Sequence, residues 1–321
     1  MPLYRPPSII ARMNRYKRFD ILLLCCFAAA VAALFWAEPP ASFRSLQHFW
    51  NLGHILLFFL FSRVAVILFP AIGSWRPGKK FILLFTLALL LGGAIELYQR
   101  FTPGRDASFA DLAADLAGPL LYLGIQRGIG KRQRLVLLAT VVFFASFSLV
   151  PGLAMLSDEI TAARQFPLLA DFETPFENYR FTCQGSCTIS DRAAYSGRKS
   201  LLLKLTTDRY SGIGLQYFNG DWSAYKTFSC AVFNPGSTPV NLHLRIHDLL
   251  HERGTMEYSD RYNTTFRLLP GWNSLRVSLE DVRNAPKGRK MDMGTIRGVG
   301  FFVAHEPEPL TLFLDTLKLK K

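Results

Sequence analysis

Five long apolar runs occupy the first half of the chain, and no run of comparable length follows them. A helix needs about 20 mostly apolar residues to cross a bilayer. The runs therefore predict an α-helical transmembrane bundle of about five spans over residues 21–156. They are Ile21–Trp36, Phe49–Phe69, Phe81–Tyr98, Phe109–Ile125 and Leu135–Leu156. The fourth run is the weakest, because Asp111 and Asp115 interrupt it.

The positive charge of the chain is concentrated in the same half. Residues 1–166 carry 17 Lys and Arg against 8 Asp and Glu, a net charge of +9, whereas residues 167–321 carry 20 against 16, a net charge of +4. A basic excess beside apolar runs is typical of a membrane protein rather than of a DNA-binding protein. We therefore predict membrane lipids as partners and no nucleic acid.

Basic loops indicate the orientation of these helices, because loops rich in Lys and Arg stay in the cytoplasm. Such loops precede the first run, separate the second from the third, and separate the fourth from the fifth. We predict an integral protein of the bacterial cytoplasmic membrane, with a basic cytoplasmic segment at residues 1–20 and the chain after about residue 157 outside. Alternatively, the first run is a cleaved signal peptide, which leaves the orientation of the rest unchanged.

The sequence period changes from helical to two after Phe166. Between Val240 and His247, Leu242, Leu244 and Ile246 alternate with polar residues. Such strands and the turns between them predict an all-β jelly-roll sandwich of about eight to ten strands over residues 167–321, after a linker at residues 157–166. The predicted strands are Leu201–Thr206, Ile213–Phe218, Phe228–Phe233, Val240–His247, Thr265–Leu269, Ser274–Leu279, Gly298–Ala304 and Leu310–Leu319.

Two of the five cysteines lie close together in the β half, as Cys183 and Cys187. If this half lies outside the cytoplasmic membrane, its surroundings are oxidising and a short-loop disulfide is expected. Two free thiols are the alternative. Cys230 stands in an apolar strand and is expected in the core.

Polar residues in the apolar half require a reason, because ionisable groups are costly in hydrocarbon. The predicted topology places five of them at a similar depth near the outer surface: His54, Glu96, Arg105, Asp111 and Asp115. Gln99 and Ser108 lie next to these residues and complete the candidate cluster. One interpretation is an outward-facing catalytic or ligand site, in which the arginine grips an anionic head group and acids or histidine move protons. The others are an ion-pair network that holds the helices in register and a metal site.

Part of this polar set forms a sequence motif. Glu96-Leu-Tyr-Gln99, Pro103-Gly104-Arg105-Asp106-Ala107-Ser108, Asp111 and Gly118, preceded by His54, resemble the motif of the VanZ-like membrane protein family over about residues 20–126. The chain departs from that pattern at Asp115, where the family often has Asn, and at Asn51, where a Lys often precedes the histidine. The resemblance implies a place in the bacterial cell envelope and a link to glycopeptide tolerance, and it implies no particular reaction.

The β half carries a second resemblance. Asp171-Phe-Glu173, Tyr195-Ser-Gly-Arg-Lys-Ser-Leu201, Asp221-Trp-Ser-Ala-Tyr225, Pro270-Gly-Trp-Asn273 and Leu314-Asp315 look like the ordered motifs of a carbohydrate-binding, galactose-binding-like jelly roll. This resemblance implies that Asp171, Glu173 and Asp315 hold a structural Ca²⁺. The alternative is that they are ordinary acids at strand ends.

Sugar binding requires aromatic faces for the C–H surface of the ring and polar groups for its hydroxyls. The aromatic candidates are Trp222, Tyr225, Tyr258 and Tyr262, with His247 and Asp248 as polar partners. Core packing is the alternative for each of them, and Trp272 is expected to be structural.

The sequence contains no nucleotide-binding loop, zinc-protease motif or nucleophile elbow, so no organic cofactor is predicted. Two function classes remain. One is a non-enzymatic envelope protein whose outer sandwich binds glycan while the membrane part anchors or scaffolds it. The other is a membrane enzyme that acts on a lipid-linked or anionic envelope substrate at the polar cluster. We favour the first class; a closed network of paired charges supports it, and an open pocket supports the second.

Overall fold

The computed structural model describes residues 18–36, 43–101 and 108–321. These residues form two compact units, which divide between Ala154 and Met155. The first unit is helical, and the second consists mainly of β-strands. An apolar helical region followed by an antiparallel β-sandwich is the predicted fold class, and it is confirmed.

Each predicted apolar run lies on a single helix, except that Phe69 and Ile125 follow the last residue of theirs. The helices of the described residues in this region are α1 (Arg18–Trp36), α2 (Arg44–Leu68), α3 (Pro70–Gly73), α4 (Pro77–Gln99), α5 (Phe109–Gly124) and α6 (Lys131–Gln165). Many of their apolar side chains are exposed, for example Ile82 and Val142. So many exposed apolar side chains would be unfavourable in water and are favourable in contact with lipid.

The number of helices that meet the requirements of a membrane span is lower than the predicted five. Among the described residues, α2, α4 and α6 are long and apolar enough. Helix α5 has 16 residues and covers about 24 Å at about 1.5 Å per residue, less than the ~30 Å of a hydrocarbon core. The described apolar stretch of α1 is also short, at Asp20–Ala32.

Helix α5 is an inner helix that packs against α2 and α4. Most of its side chains are buried. A Cβ added to Gly118 would lie 2.6 Å from the backbone of Phe58, and one added to Gly92 would overlap the carboxylate of Asp115. Glycine at these two positions therefore allows the three helices to approach closely, and the acidic residues of α5 come to lie between its neighbours.

The second unit is a sandwich of two antiparallel sheets. One sheet has the order β3-β4-β11-β6-β9, with β1 pairing with β11, and the other has the order β2-β5-β10-β7-β8. The strands are β1 (Leu168–Ala170), β2 (Phe181–Cys183), β3 (Ser186–Ser190), β4 (Ser200–Leu205), β5 (Tyr210–Leu215), β6 (Thr227–Asn234), β7 (Val240–Asp248), β8 (Tyr262–Leu268), β9 (Gly271–Ser278), β10 (Ile296–Ala304) and β11 (Leu310–Lys320). Two short helices, α7 (Leu249–Arg253) and α8 (Leu279–Asn284), follow β7 and β9.

The eight predicted strands correspond to β4–β11, with ends displaced by a few residues. On β7, Leu242, Leu244 and Ile246 are buried in the core, as their alternation requires. The three strands that were not predicted, β1, β2 and β3, have only three to five residues. Runs of that length show no period, so only pairing with longer strands reveals them.

The segment predicted as a linker, residues 157–166, is helical as far as Gln165. Within the second unit, Asp158 Oδ1 lies 2.8 Å from Arg180 Nη2, and both side chains are fully enclosed. Arg180 also donates from Nη1 to the carbonyl of Leu169 at 2.6 Å. The C-terminal end of α6 is therefore fastened to the sandwich by a buried ion pair.

Candidate functional site

A groove of about 870 Å³ runs over the outer face of the five-stranded sheet. Its floor contains four glycines, Gly212 and Gly214 on β5 and Gly298 and Gly300 on β10. Gly214 pairs with Gly300 across the two strands. Because glycine has no side chain, the groove is deeper at this point. Its volume lies within the range of about 300–1,000 Å³ that small-molecule sites occupy.

Aromatic side chains line one end of this groove. The ring of His243 stacks on that of Phe302, with centroids 5.1 Å apart and planes inclined by 24°. Tyr210 meets Phe302 edge-on at 5.9 Å. His243 is held in place by a 2.8 Å hydrogen bond between Nδ1 and the hydroxyl of Thr265. These rings form an aromatic cluster with a polar edge, and a cluster of this kind can pack against the C–H face of a sugar ring.

Polar side chains line the other end of the groove. The side chain of Arg245 lies over Gly300, where an added Cβ would come within 2.6 Å of its Nε. Arg261 donates from Nε to Asn263 Oδ1 at 2.9 Å and lies beside the ring of Tyr258, 5.4 Å from its centre. These planar donors and acceptors can reach hydroxyl groups on a bound ring.

His247 lies beside these arginines and over Gly298. Burial lowers the pKa of His247 to about 4, and the nearby side chains of His251, Arg245 and Arg261 act in the same direction. Its Nδ1 is enclosed and has no hydrogen-bond partner among the residues described. At neutral pH the ring is therefore uncharged.

Two of the six predicted sugar-binding residues, Tyr258 and His247, line the groove. Trp222 is fully buried and stacks on Phe228 at 5.6 Å, so its face is not available to a ligand. Tyr225 and Tyr262 pack against the core. Core packing, the alternative noted from the sequence, describes these three aromatic residues.

Asp248 belongs to an ion-pair network behind the groove. It is buried and lies 2.6 Å from Arg289 Nη1, and it also accepts from the backbone of His251 and of Asp292. Arg289 in turn binds Asp260 at 2.6 Å. These bonds fix the end of β7 and the start of α7. Asp248 therefore stabilises the structure behind the groove and does not line it.

The sequence did not single out several residues that form the groove, namely Tyr210, His243, Arg245, Asn263 and Phe302. Two patterns in the sequence point to this surface. The polar residues of β7 alternate with its core residues and must share the outer face. The pairs Gly212/Gly214 and Gly298/Gly300 have the same two-residue spacing, which marks a sheet surface without side chains. Neither signal shows that the two strands are neighbours.

The three acids predicted to hold calcium bind backbone amides. Glu173 Oε1 accepts from the amides of Arg198 and Lys199 at 2.7 and 2.8 Å, and Asp315 Oδ2 accepts from those of Tyr195 and Ser196 at 2.7 and 3.1 Å. Asp171 accepts from the amide of Glu173 at 3.3 Å. The described residues contain no group of three or more His, Cys, Asp or Glu side chains placed to hold a metal ion. Glu173 and Asp315 thereby hold the loop before β4, whereas Asp171 binds an amide two residues away. Calcium binding by these three acids stays a prediction.

Cys183 and Cys187 are joined by a disulfide. The bond closes the turn between β2 and β3, which belong to different sheets. Gly185 in this turn has a φ of +104°, a conformation that glycine adopts without strain. Cys183 also lies at the edge of the groove, whereas Cys230 is a buried free thiol in the core.

The helical unit contains the second polar cluster. His54 Nδ1 lies 2.8 Å from Asp115 Oδ1, and Glu96 Oε2 accepts from the amide of Ser108 at 2.6 Å. Ser108 caps α5, because its hydroxyl accepts from the amide of Asp111 at 3.3 Å. The structure thus brings five of the predicted residues onto three adjoining helices. Arg105 lies outside the described residues, as does the side chain of Gln99.

The cluster is enclosed, and three of its carboxylate oxygens lack a partner. Glu96 Oε1, Asp111 Oδ1 and Asp115 Oδ2 are buried and accept no hydrogen bond from any residue that the structure describes. His54 is held by Asp115 through Nδ1, which fixes the orientation of the ring. The arrangement combines a fixed histidine with free acceptor oxygens.

No family model matches the chain. No curated protein matches it either. Among solved structures, the sandwich is similar to a family 11 carbohydrate-binding module from Clostridium thermocellum in complex with a β-1,3-1,4-mixed-linked tetrasaccharide, at 16% identity and a TM-score of 0.38, over 48% of this chain and 94% of that one.

Two further solved structures are similar to the chain at the same low level. The xylan-binding domain CBM22-1 from Paenibacillus barcinonensis is 14% identical, with a TM-score of 0.32, over 47% of this chain and 90% of that one. An exo-β-agarase is 14% identical, with a TM-score of 0.39, over 48% of this chain and 24% of the agarase.

Proposed function

We propose that the chain is a membrane-anchored protein of the bacterial cell envelope whose β-sandwich binds a glycan. The groove on the five-stranded sheet carries this proposal. Its glycine floor leaves room for a sugar ring, Phe302 and Tyr258 offer aromatic faces, and Asn263 and His247 offer hydrogen-bonding groups. Aromatic faces together with planar polar side chains are what recognition of a sugar ring requires.

The position of the sandwich outside the cytoplasm is part of the proposal. It rests on the distribution of Lys and Arg between the loops and on a disulfide, which persists in oxidising compartments. A reporter that is active only outside the cytoplasm, fused after Lys321, should be active. The same reporter fused at Gly78 should be inactive, and the reverse pattern would refute this orientation.

The binding proposal is tested with the full-length chain in detergent and a panel of immobilised polysaccharides. We expect Phe302→Ala and Tyr258→Ala each to weaken binding roughly 2- to 10-fold, the loss typical of one aromatic contact. Tyr179→Ala is the matched control, because Tyr179 is an exposed aromatic residue of the same sandwich that does not line the groove. Binding to no polysaccharide of the panel, or equal losses in the control, would contradict glycan binding at this site.

For the helical unit we propose a VanZ-like role in the envelope, in which anchoring or scaffolding accompanies the glycan-binding sandwich. A second candidate function is an enzyme that acts on a lipid-linked or anionic envelope substrate. One observation favours it, namely the buried carboxylate oxygens of Glu96, Asp111 and Asp115 that have no partner among the described residues.

The two roles of the helical unit predict different effects of Asp111→Asn. In an enzyme, the substitution should abolish the envelope phenotype, such as tolerance to a glycopeptide, at a normal protein level in the membrane. In an anchor, the phenotype should follow the amount of folded protein. Phenotype and protein level are therefore measured together in the same strains. Ser148→Ala, which removes a buried hydroxyl elsewhere in the helical unit, is the control.

A further inference from the structure

The groove contains two arginines and no acid. Arg245 and Arg261 both line it, and none of the described lining residues is Asp or Glu. Each arginine is half buried, and neither takes part in an ion pair of the sandwich. Guanidinium groups keep their charge under all physiological conditions. The groove therefore holds two positive charges that the chain itself does not neutralise.

Other enclosed arginines of the sandwich are neutralised. Arg180 is fully buried and lies 2.8 Å from Asp158. Arg289 lies 2.6 Å from both Asp248 and Asp260. Each of these two structural arginines is therefore paired with at least one acidic side chain. The absence of an acid beside Arg245 and Arg261 distinguishes these two from structural arginines.

The charges of Arg245 and Arg261 act on one another within the groove. Asn263 stands opposite Arg245 in the register of β7 and β8, and its side-chain oxygen accepts from Arg261 Nε at 2.9 Å. Burial, together with the neighbouring Arg245, lowers the pKa of Arg261. His247 is uncharged at neutral pH and adds no negative charge. Two like charges held together at a half-buried surface are stabilised by an anion that lies between them.

We propose that the groove binds an acidic glycan, with Arg245 and Arg261 gripping a carboxylate of the sugar while the rings of Phe302 and His243 pack against it. The planar fork of arginine matches a carboxylate in two parallel hydrogen bonds. The proposal rests on the proposed function, because it names the class of glycan that the same groove would take. According to this proposal, the groove selects among glycans by their negative charge.

The test compares three probes on the full-length chain in a non-ionic detergent. The probes are polygalacturonate, its fully methyl-esterified form, and a neutral β-glucan, and binding is measured by calorimetry. We expect polygalacturonate to bind about tenfold or more tightly than the other two, a ratio typical of one charge-assisted hydrogen-bonded pair. The preference should weaken as salt is added, because exposed charges are screened.

Variants assign the selectivity to the groove rather than to the high net charge of the chain, +13. Arg245→Gln and Arg261→Gln should each reduce the preference for the acidic probe over the neutral probe about tenfold. Arg267→Gln is the matched control, because Arg267 is an exposed arginine of β8 that does not line the groove. It should change neither affinity.

Several outcomes would overturn the proposal. Equal binding of the acidic and neutral probes refutes selection by charge but leaves glycan binding intact. Equal binding of polyglutamate and polygalacturonate shows that the arginines attract any polyanion, so the sugar is not recognised. Unchanged affinities in both groove variants also refute it. Failure of all glycan probes to bind refutes the proposed function itself. Failure of charge selection and failure of glycan binding therefore give different results.

Discussion

The helical cluster and the groove of the sandwich use similar side chains in opposite surroundings. In the helices, His54 is enclosed and hydrogen-bonded to Asp115. In the groove, His247 is half buried beside two arginines, its Nδ1 has no partner among the described residues, and no acid lines the groove next to it. The comparison shows that the chemical type of a residue does not decide its role. What decides it is whether the fold supplies a partner and whether space remains for a ligand.

The comparison also separates the contributions of polar groups to stability and to binding. Enclosed pairs such as Arg180 and Asp158 have exchanged water for each other, so losing one member leaves a buried charge without a partner. Groove residues keep contact with water, so losing one of them changes affinity more than stability. The predictions below test this division, beginning with the largest expected effect.

Removing Arg180 should have the largest effect on stability. Arg180→Met leaves Asp158 buried without its cation, and breaking a buried pair in this way costs about 3–5 kcal/mol in the free energy of unfolding. Thermal unfolding of the purified chain measures the loss. Arg283→Met is the control, because its ion pair with Glu280 is exposed on both sides and contributes little. A similar melting temperature in both variants would contradict the division.

Removing Asp115 should have a smaller effect on the helical unit. Asp115→Ala leaves His54 enclosed without its hydrogen-bond partner, which costs about 1–3 kcal/mol. The fraction of monodisperse protein extracted from membranes measures this loss. Asp111→Ala is the comparison, because Asp111 Oδ1 has no partner among the described residues. Its removal should leave that fraction near normal, and equal losses in the two variants would show that Asp111 is structural as well.

The stability of the sandwich should fall as the pH decreases. The pKa of His247 is about 4 in the folded chain, against about 6.5 for an unperturbed histidine. The unfolded chain therefore binds a proton between these values that the folded chain does not, and the contribution of His247 is fully present only above about pH 6.5. His247→Gln should flatten the loss of melting temperature between about pH 6.5 and pH 4, and an unchanged slope would contradict this account.

Calcium should have the smallest effect. The oxygens of Glu173 and Asp315 accept hydrogen bonds from backbone amides, so a chelator should leave the melting temperature unchanged. A clear rise on adding Ca²⁺, absent from the Asp315→Asn variant, would support the calcium site that the sequence resemblance implies.

Much of the fold could be predicted from the sequence because its signals are local. The apolar runs and the alternation in β7 mark helices and strands without knowledge of their neighbours. The short strands β1, β2 and β3 could not be predicted, because three to five residues carry no period. The limited length of α5 was also missed, since an apolar run does not show where a helix ends or that its neighbours enclose it.

The candidate sites divide in the same way. The shared depth of its polar residues in the predicted topology already indicated the cluster around His54, and Asp111 and Asp115, four residues apart, share one face of a helix. The sugar-binding set was predicted from residue type alone, and the structure places Trp222 in the core and Asp248 in an ion-pair network. An aromatic ring is suited both to a core and to a ligand, so its type does not distinguish the two.

The sequence by itself determined two kinds of region, their order, and the positions of the long helices and strands, because those depend on the period of apolar residues along the chain. Only the tertiary structure decided that β5, β10 and β7 lie side by side. That arrangement places the glycines of two strands beneath Arg245 and Phe302 and creates the groove. Strand order depends on contacts between residues far apart in the chain, which no local pattern records.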